Sequence, residues 1–317
     1  MRKIPRPYTR ALRHKFSTYA LPLALLGLLA GPATGPAFAQ GHGEGGNGGS
    51  GGISGNGSKI AYSSIPQQVP GNVSSLGFEA TSTSEFGDEV GLAALTQPAS
   101  ATPGQRTLKS LHVVMSSQKC QNGSPSGGDC LTTPGATFTH PITANIYAVD
   151  NSGPVPAPGA LLATVTKTFN IPYRPSADPV NCTGSNAGKW FSPADNTCYN
   201  GLAHTAKFDF PGVTTLPDQV IWTVAYNTTH AGYNPIGESA PCFTSGNGCP
   251  YDSLNVGAQT FPGAPFAGTD IDPNGVFINS SSASTYCDGG AGGTGTLRLD
   301  TPCWTGFTPL GEIKTKG

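Results

Sequence analysis

Asp270, Asp272 and Asn274 alternate in TDIDPNG, residues 269–275, the spacing that opens a calcium loop of the D-x-[DN]-x-[DN]-G type. Two features argue against that chemistry. The twelfth position, where a bidentate Glu belongs, is Ser281. The residues after Gly275 read as a strand, and DPNG has the residue order of a type I turn. The expectation is a turn leading into a strand, with no cofactor required and calcium as the one ion the pattern leaves open. Four other carboxylates, Glu85, Asp88 and Glu89 in SEFGDEV and Glu238 in GESAPC, could supply the pair that glycoside hydrolysis needs. Base rates favour ordinary turn and surface roles for them.

Other catalytic patterns fail on inspection. GESAP around Ser239 lacks the closing glycine of a nucleophile elbow. There is no H-E-x-x-H zinc motif, phosphate loop or dinucleotide fingerprint. His112 and His140 fall inside strand-like runs. Aromatic and amide residues gather instead in loop segments: Trp190 and Tyr199 in KWFSPADNTCYNG, His230, Tyr233 and Asn234 in YNTTHAGYNP, and Trp304 in PCWTGF. Flat aromatic faces stack on sugar rings while amides bond their hydroxyls, so these six are the candidate ligand-binding residues. The competing expectation is that Trp190 and Trp304 pack over neighbouring disulfides.

The elements that must hold these loops are strands. Leu111, Val113 and Met115 alternate, as do Phe138, Ile142, Ala144 and Ile146. So do Leu161, Ala163, Val165, Phe169 and Ile171, and so do Val220, Trp222, Val224 and Tyr226. Period two in β-branched and aromatic residues marks strands with one buried face. Twenty-nine prolines and 44 glycines interrupt any helical pattern. Short strands between long loops predict an all-β fold, an antiparallel β-sandwich formed by residues 60–317 as one domain.

Residues 1–39 read as a secretory leader: a basic start, the apolar run ALPLALLGLLAG, and a small-x-small site at Ala37 and Ala39. The apolar run is too short to span a bilayer. A Gly/Ser-rich linker, residues 40–59, follows. Six of the 17 basic residues leave with the leader and none of the 18 acidic ones, so the remainder carries a formal charge of −7. Nucleic acid and anionic membrane surfaces are therefore poor partners. An extracellular polysaccharide or the cell envelope is the expected contact. All eight cysteines lie after the leader, none in C-x-x-C spacing. In a secreted chain they predict disulfides, and loop entropy favours near partners: Cys120 with Cys130, Cys182 with Cys198, Cys242 with Cys249, and Cys287 with Cys303. The long loops 116–136, 172–204 and 227–255 carry six of them.

The hairpin ANIYAVDNSGPVPAPGALLATVTKTFNIPYRPSADP, with EFGDEVGLA before it and LPDQVIWTVAYNTTHAGYNP and YCDGGAGGTGTLRLDTPCWTG after it, resembles secreted β-sandwich proteins of actinobacterial type. The resemblance covers roughly residues 77–313. It implies a jelly-roll-like fold and no particular reaction. Three functions stay open on the sequence: a non-catalytic carbohydrate-binding or envelope module, an extracellular structural protein, and a glycoside hydrolase.

Overall fold

The structure, a computed structural model, describes residues 58–94, 106–232 and 248–316. In chain order the strands are β1 (Ser58–Ser63), β2 (Ser75–Gly77), β3 (Thr83–Gly91), β4 (Arg106–Ser117), β5 (Thr137–Asp150), β6 (Ala157–Pro172), β7 (Trp190–Ser192) and β8 (Thr197–Tyr199). They continue with β9 (Leu202–Asp209), β10 (Thr215–Leu216), β11 (Gln219–Ala225), β12 (Leu254–Gly257), β13 (Thr269–Asp270), β14 (Val276–Ser280), β15 (Arg298–Asp300) and β16 (Gly311–Lys316). The fold is all-β. One large antiparallel sheet runs β1–β16–β4–β12–β2, with β9 and β10 also paired to β4. The other runs β15–β14–β3–β11–β5–β6, with β13 also paired to β3. The two form a sandwich, and β7 and β8 make a separate small hairpin. The first strand starts at Ser58, so it takes in the last two residues assigned to the linker.

Alternation builds the core as the sequence predicts. Leu111, Val113 and Met115 from β4 meet Val220, Trp222 and Val224 from β11 in one buried cluster. Phe138, Ile142, Ala144 and Ile146 from β5 join it. The longest strand departs from the expected phase. Ile146 pairs with Ala163 but Tyr147 pairs with Leu161, so a bulge falls at Leu162. One extra residue in a period-two strand exchanges its faces. Leu162 therefore packs on the core and Leu161 is turned outward, 51% exposed.

Cys120–Cys130, Cys182–Cys198 and Cys287–Cys303 are disulfides, as near-neighbour pairing predicts. Cys249 is also disulfide-bonded; its expected partner Cys242 lies outside the described residues. The first bridge ties the loop between β4 and β5. The second anchors β8 to the segment before β7, and the third closes the loop between β14 and β16.

Gly311 marks a close contact between the sheets. A Cβ there would stand 2.4 Å from the Trp222 ring, so the glycine lets the indole cross from one sheet to the backbone of the other. Gly311→Ala is expected to cost about 1–3 kcal/mol by overpacking. An unchanged urea midpoint would show that the indole has room to move.

Candidate functional site

The expected binding residues divide among three places. Trp190 is buried, and its indole Nε1–H donates to the Gly201 carbonyl at 2.6 Å. It supports rather than contacts: the Tyr199 ring lies against it at 5.7 Å, tilted by 41°. The Tyr199 hydroxyl donates to Asp195 at 2.7 Å, and the same carboxylate oxygen accepts the Gly71 amide at 2.9 Å. The short hairpin β7–β8 thus fixes one aromatic ring from behind and by its tip. His230 is exposed on another loop and ion-pairs with Glu79, which also accepts from Thr229. That carboxylate raises the imidazole above its ordinary pKa, first by hydrogen bonding and then by charge. Tyr233 and Asn234 lie outside the described residues, as do Glu238, Ser239 and the leader.

Trp304 is half-buried against Phe86, ring centroids 5.6 Å apart, and its indole donates to Asp300 at 2.7 Å. Its ring therefore packs on the main core, and Asp300 also accepts the Cys287 amide at 2.9 Å. Burial raises the Asp300 carboxyl above its usual range despite these donors. The ligand atoms of Cys287, Asp300 and Cys303 come within 4.8 Å of one another, a spacing compatible with a metal. Both sulfurs, however, belong to one disulfide. A cystine has no thiolate to give, so the group could hold a soft metal only after reduction. As it stands, Asp300 is the anchor for the loop.

Two cavities adjoin between these aromatic groups. One of about 630 Å3 is lined by Asn72, Ser74, Gln118, Tyr199, Asn200 and Gln259, with Ser75 on its wall. The second, about 260 Å3, has Ser75, Ala258, Trp304 and Phe307. They share Ser75 and meet at residues 258–259, where β12 ends. Taken together through Ser75 of β2, the two make up the groove over β2, with Tyr199 lining one cavity and Trp304 and Phe307 lining the other. Amides and hydroxyls line the middle.

The acidic residues separate by strand face. Glu85 is buried, and one of its oxygens accepts Asn145 Nδ2 at 2.9 Å, Tyr147 Oη at 2.9 Å and Thr223 Oγ1 at 2.5 Å. Thr164 in turn donates to Asn145 Oδ1. Three donors on one carboxylate form a held network across β3, β5, β6 and β11. Asp88 is in phase with Phe86 and Val90, whose side chains are in the sandwich core. It is 2% exposed, and burial, with the charge of Asp270 behind it, pushes its carboxyl well above the ordinary range. Burial and then Asp272 raise Glu89 similarly.

The loop that begins with Asp270 turns the chain as predicted. The Gly275 amide donates to the Asp272 carbonyl at 2.8 Å, and β14 follows. Its three oxygen-bearing residues do not share a direction. Asn274 Oδ1 accepts from Thr305, and Asp272 accepts its own turn's Asn274 amide. Asp270 lines a cavity of about 320 Å3 with Thr260, Gly268, Pro273 and Thr308. Burial chiefly raises its carboxyl to about 6. Sequence reading singled out Asp270 for its loop and Asp88 for its charge, but did not place them in one cluster.

Comparison with protein-family models, with curated proteins and with solved structures finds no match.

Proposed function

We propose that this is a secreted, jelly-roll-like β-sandwich that binds an extracellular polysaccharide without cleaving it, the groove over β2 being the binding face. One observation carries the reading: adjoining cavities bounded by Tyr199 and by Trp304 and Phe307, with amide and hydroxyl groups between. A sugar chain offers alternating apolar ring faces and hydroxyl edges, which such a lining complements. Tyr199 is held from behind by Trp190 and at its hydroxyl by Asp195, so little entropy is lost when a ring stacks on it. Rigid β-strands displaying such groups from loops are a common plan for binding sites. Cell-envelope glycan is the natural partner for a protein exported by its leader.

Co-sedimentation with a panel of insoluble polysaccharides tests this. Retention of the native protein is expected on at least one of them. Tyr199→Ala and Trp304→Ala are each expected to weaken retention about tenfold, the size of one lost stacking contact. His230→Ala should leave retention unchanged, because that side chain is not in the groove lining. Loss of retention with His230→Ala, or its survival in the Tyr199→Ala Trp304→Ala double variant, would remove the groove as the binding face. Absence of retention on every polysaccharide would favour the structural alternative.

A second reading, a secreted glycoside hydrolase, draws support from Asp270. Asp270 lines a cavity, and its carboxyl holds a proton to about pH 6, which suits a general acid. Asp88 is not in the lining of that cavity, whereas hydrolysis requires two carboxyls that both reach the bond. Release of reducing ends in the same supernatants, abolished by Asp270→Asn, would bring this reading ahead.

A further inference from the structure

Buried polar atoms from both sheets stand without hydrogen-bond partners: Tyr62 Oη from β1, Asp88 Oδ2 from β3, and Asp270 Oδ1 from β13. Trp222 Nε1, on the strand position directly opposite Asp88, is a fourth. Tyr62 is fully buried and Asp88 nearly so. They belong to one neighbourhood: Asp270 pairs with Val90, two residues from Asp88 on the same face of β3, and both carboxyls act electrostatically on the Tyr62 hydroxyl. Ser64 acts on the Tyr62 hydroxyl as a hydrogen-bonding neighbour, but its own hydroxyl already donates to the Pro309 carbonyl at 2.8 Å and accepts the Gly311 amide at 3.0 Å.

The charge around this cluster is of one sign. The groups that act on Asp88 are Asp270, Glu89 and Asp272, and those that act on Asp270 are Asp272 and Thr308. Among the described residues, no lysine, arginine or histidine acts on either. Buried carboxylates are normally paired or bound to metal, and an unpartnered buried oxygen costs free energy comparable to a lost hydrogen bond. A positive ion between the two carboxyls answers both deficits at once.

We propose that Asp88 and Asp270, with the Tyr62 hydroxyl beside them, form a binding site for one hard divalent cation of the calcium and magnesium class. The donors are all oxygen, with neither thiolate nor imidazole, and such sets select hard ions. Two carboxylates are a small set, so the ion keeps several waters, as magnesium characteristically does. Of the three, Asp270 lines a cavity, so an ion and its waters would enter from its side. Asp272 and Asn274 stay with their own turn, so this site differs from the calcium loop that the sequence suggests. It lies apart from the groove over β2, and an ion here would occupy the lone pairs a general acid requires.

Terbium luminescence tests the site directly, because Trp222 and Tyr62 lie close enough to sensitise a bound lanthanide. The purified protein is stripped on a chelating resin and titrated with Tb3+, then back-titrated with Ca2+ and with Mg2+. The expected result is saturable sensitised emission displaced by Ca2+ or Mg2+, with a dissociation constant for Ca2+ of about 10⁻⁴–10⁻³ M, the range of extracellular modules. Asp88→Asn and Asp270→Asn should each weaken displacement at least tenfold, and Asp272→Asn should not. Should either variant fail to fold, the wild-type melting temperature decides: it should rise on adding Ca2+ or Mg2+ and fall back with chelator. Absence of saturable emission together with an unmoved melting temperature overturns the proposal. So does emission equal to wild type in folded Asp88→Asn and Asp270→Asn.

Discussion

Replacing Glu85 with alanine is expected to lower folding stability by about 3–5 kcal/mol, the cost of breaking a buried charged network from one side. The carboxylate accepts from Asn145, Tyr147 and Thr223 within a single sheet. Alanine leaves three donors without their acceptor, those of Asn145 and Thr223 buried and that of Tyr147 half-buried, each buried one worth roughly 1–3 kcal/mol when orphaned. The relief of desolvating one charge offsets part of that. Glu85→Gln keeps an acceptor oxygen in place and loses only the charge, so it should cost about 1–2 kcal/mol, less than the alanine variant. Burial first, and then the Glu85 charge, hold the Tyr147 hydroxyl protonated far above its ordinary range. The Tyr147 hydroxyl therefore keeps its proton to donate to Glu85.

The same experiment separates two roles for Glu85. A carboxylate kept for chemistry is held against stability, so removing it usually leaves a protein as stable or more so. A carboxylate kept for structure does the opposite. Urea midpoints of the wild type, Glu85→Gln and Glu85→Ala should therefore fall in that order. An alanine variant as stable as the wild type would mark Glu85 as a strained functional group and return attention to hydrolysis.

The strands were legible in the sequence because one buried face imposes period two, and a one-residue error would turn a whole apolar set to solvent. Val220, Trp222, Val224 and Tyr226 are all in the core cluster for that reason. The exception was β6, where a bulge at Leu162 changed the phase. A bulge is set by the partner strand and leaves no mark on the alternation of its own strand. Near-neighbour disulfides were legible through loop entropy.

The sites were harder to read, because they depend on which loops meet. Trp190 and Tyr199 are nine residues apart, yet one supports while the other faces the groove, a distinction made by the β7–β8 hairpin. The groove also needs Gln118, Gln259 and Ser75, from three distant segments. Asp88 did leave a sign: it alternates with Phe86 and Val90, so the pattern already put an acid on the inner face of a strand. What the pattern could not supply was Tyr62, more than 20 residues earlier and on the other sheet. Arg174 is a similar case, fully buried with its guanidinium donating to the Gly188 carbonyl at 2.8 Å. Nothing in its local sequence distinguishes it from a surface arginine.

Acidification is expected to expose the second large effect, at His140. This imidazole sits inside the sandwich, stacked on Tyr251 at 4.6 Å and edge-on to Tyr226 at 5.7 Å. Its Nε2 is 3.0 Å from the Asn227 carbonyl, so the neutral ring donates there. Burial outweighs that hydrogen bond and pushes the pKa down to about 4. In the unfolded chain the ring titrates near 6.5. Between these values unfolding takes up a proton, so the stability conferred by a neutral His140 is full above about pH 6.5 and is lost as pH falls toward 4. The gap corresponds to about 3 kcal/mol. Other groups titrate in the same range with either sign. Asp270, raised to about 6, opposes His140, and Glu312, lowered to about 2 by His112 and Lys314, reinforces it at the acid end. The comparison therefore has to be a difference. His140→Gln keeps a donor for the Asn227 carbonyl and cannot take up a proton, so it carries a fixed packing cost at all pH values. Urea unfolding of wild type and His140→Gln at pH 7, 5.5 and 4 should show their stabilities converging by about 3 kcal/mol toward the acid end. Parallel curves would mean that the folded ring accepts a proton as readily as the unfolded one. The aromatic box would then have to open locally in acid, well before the sandwich unfolds.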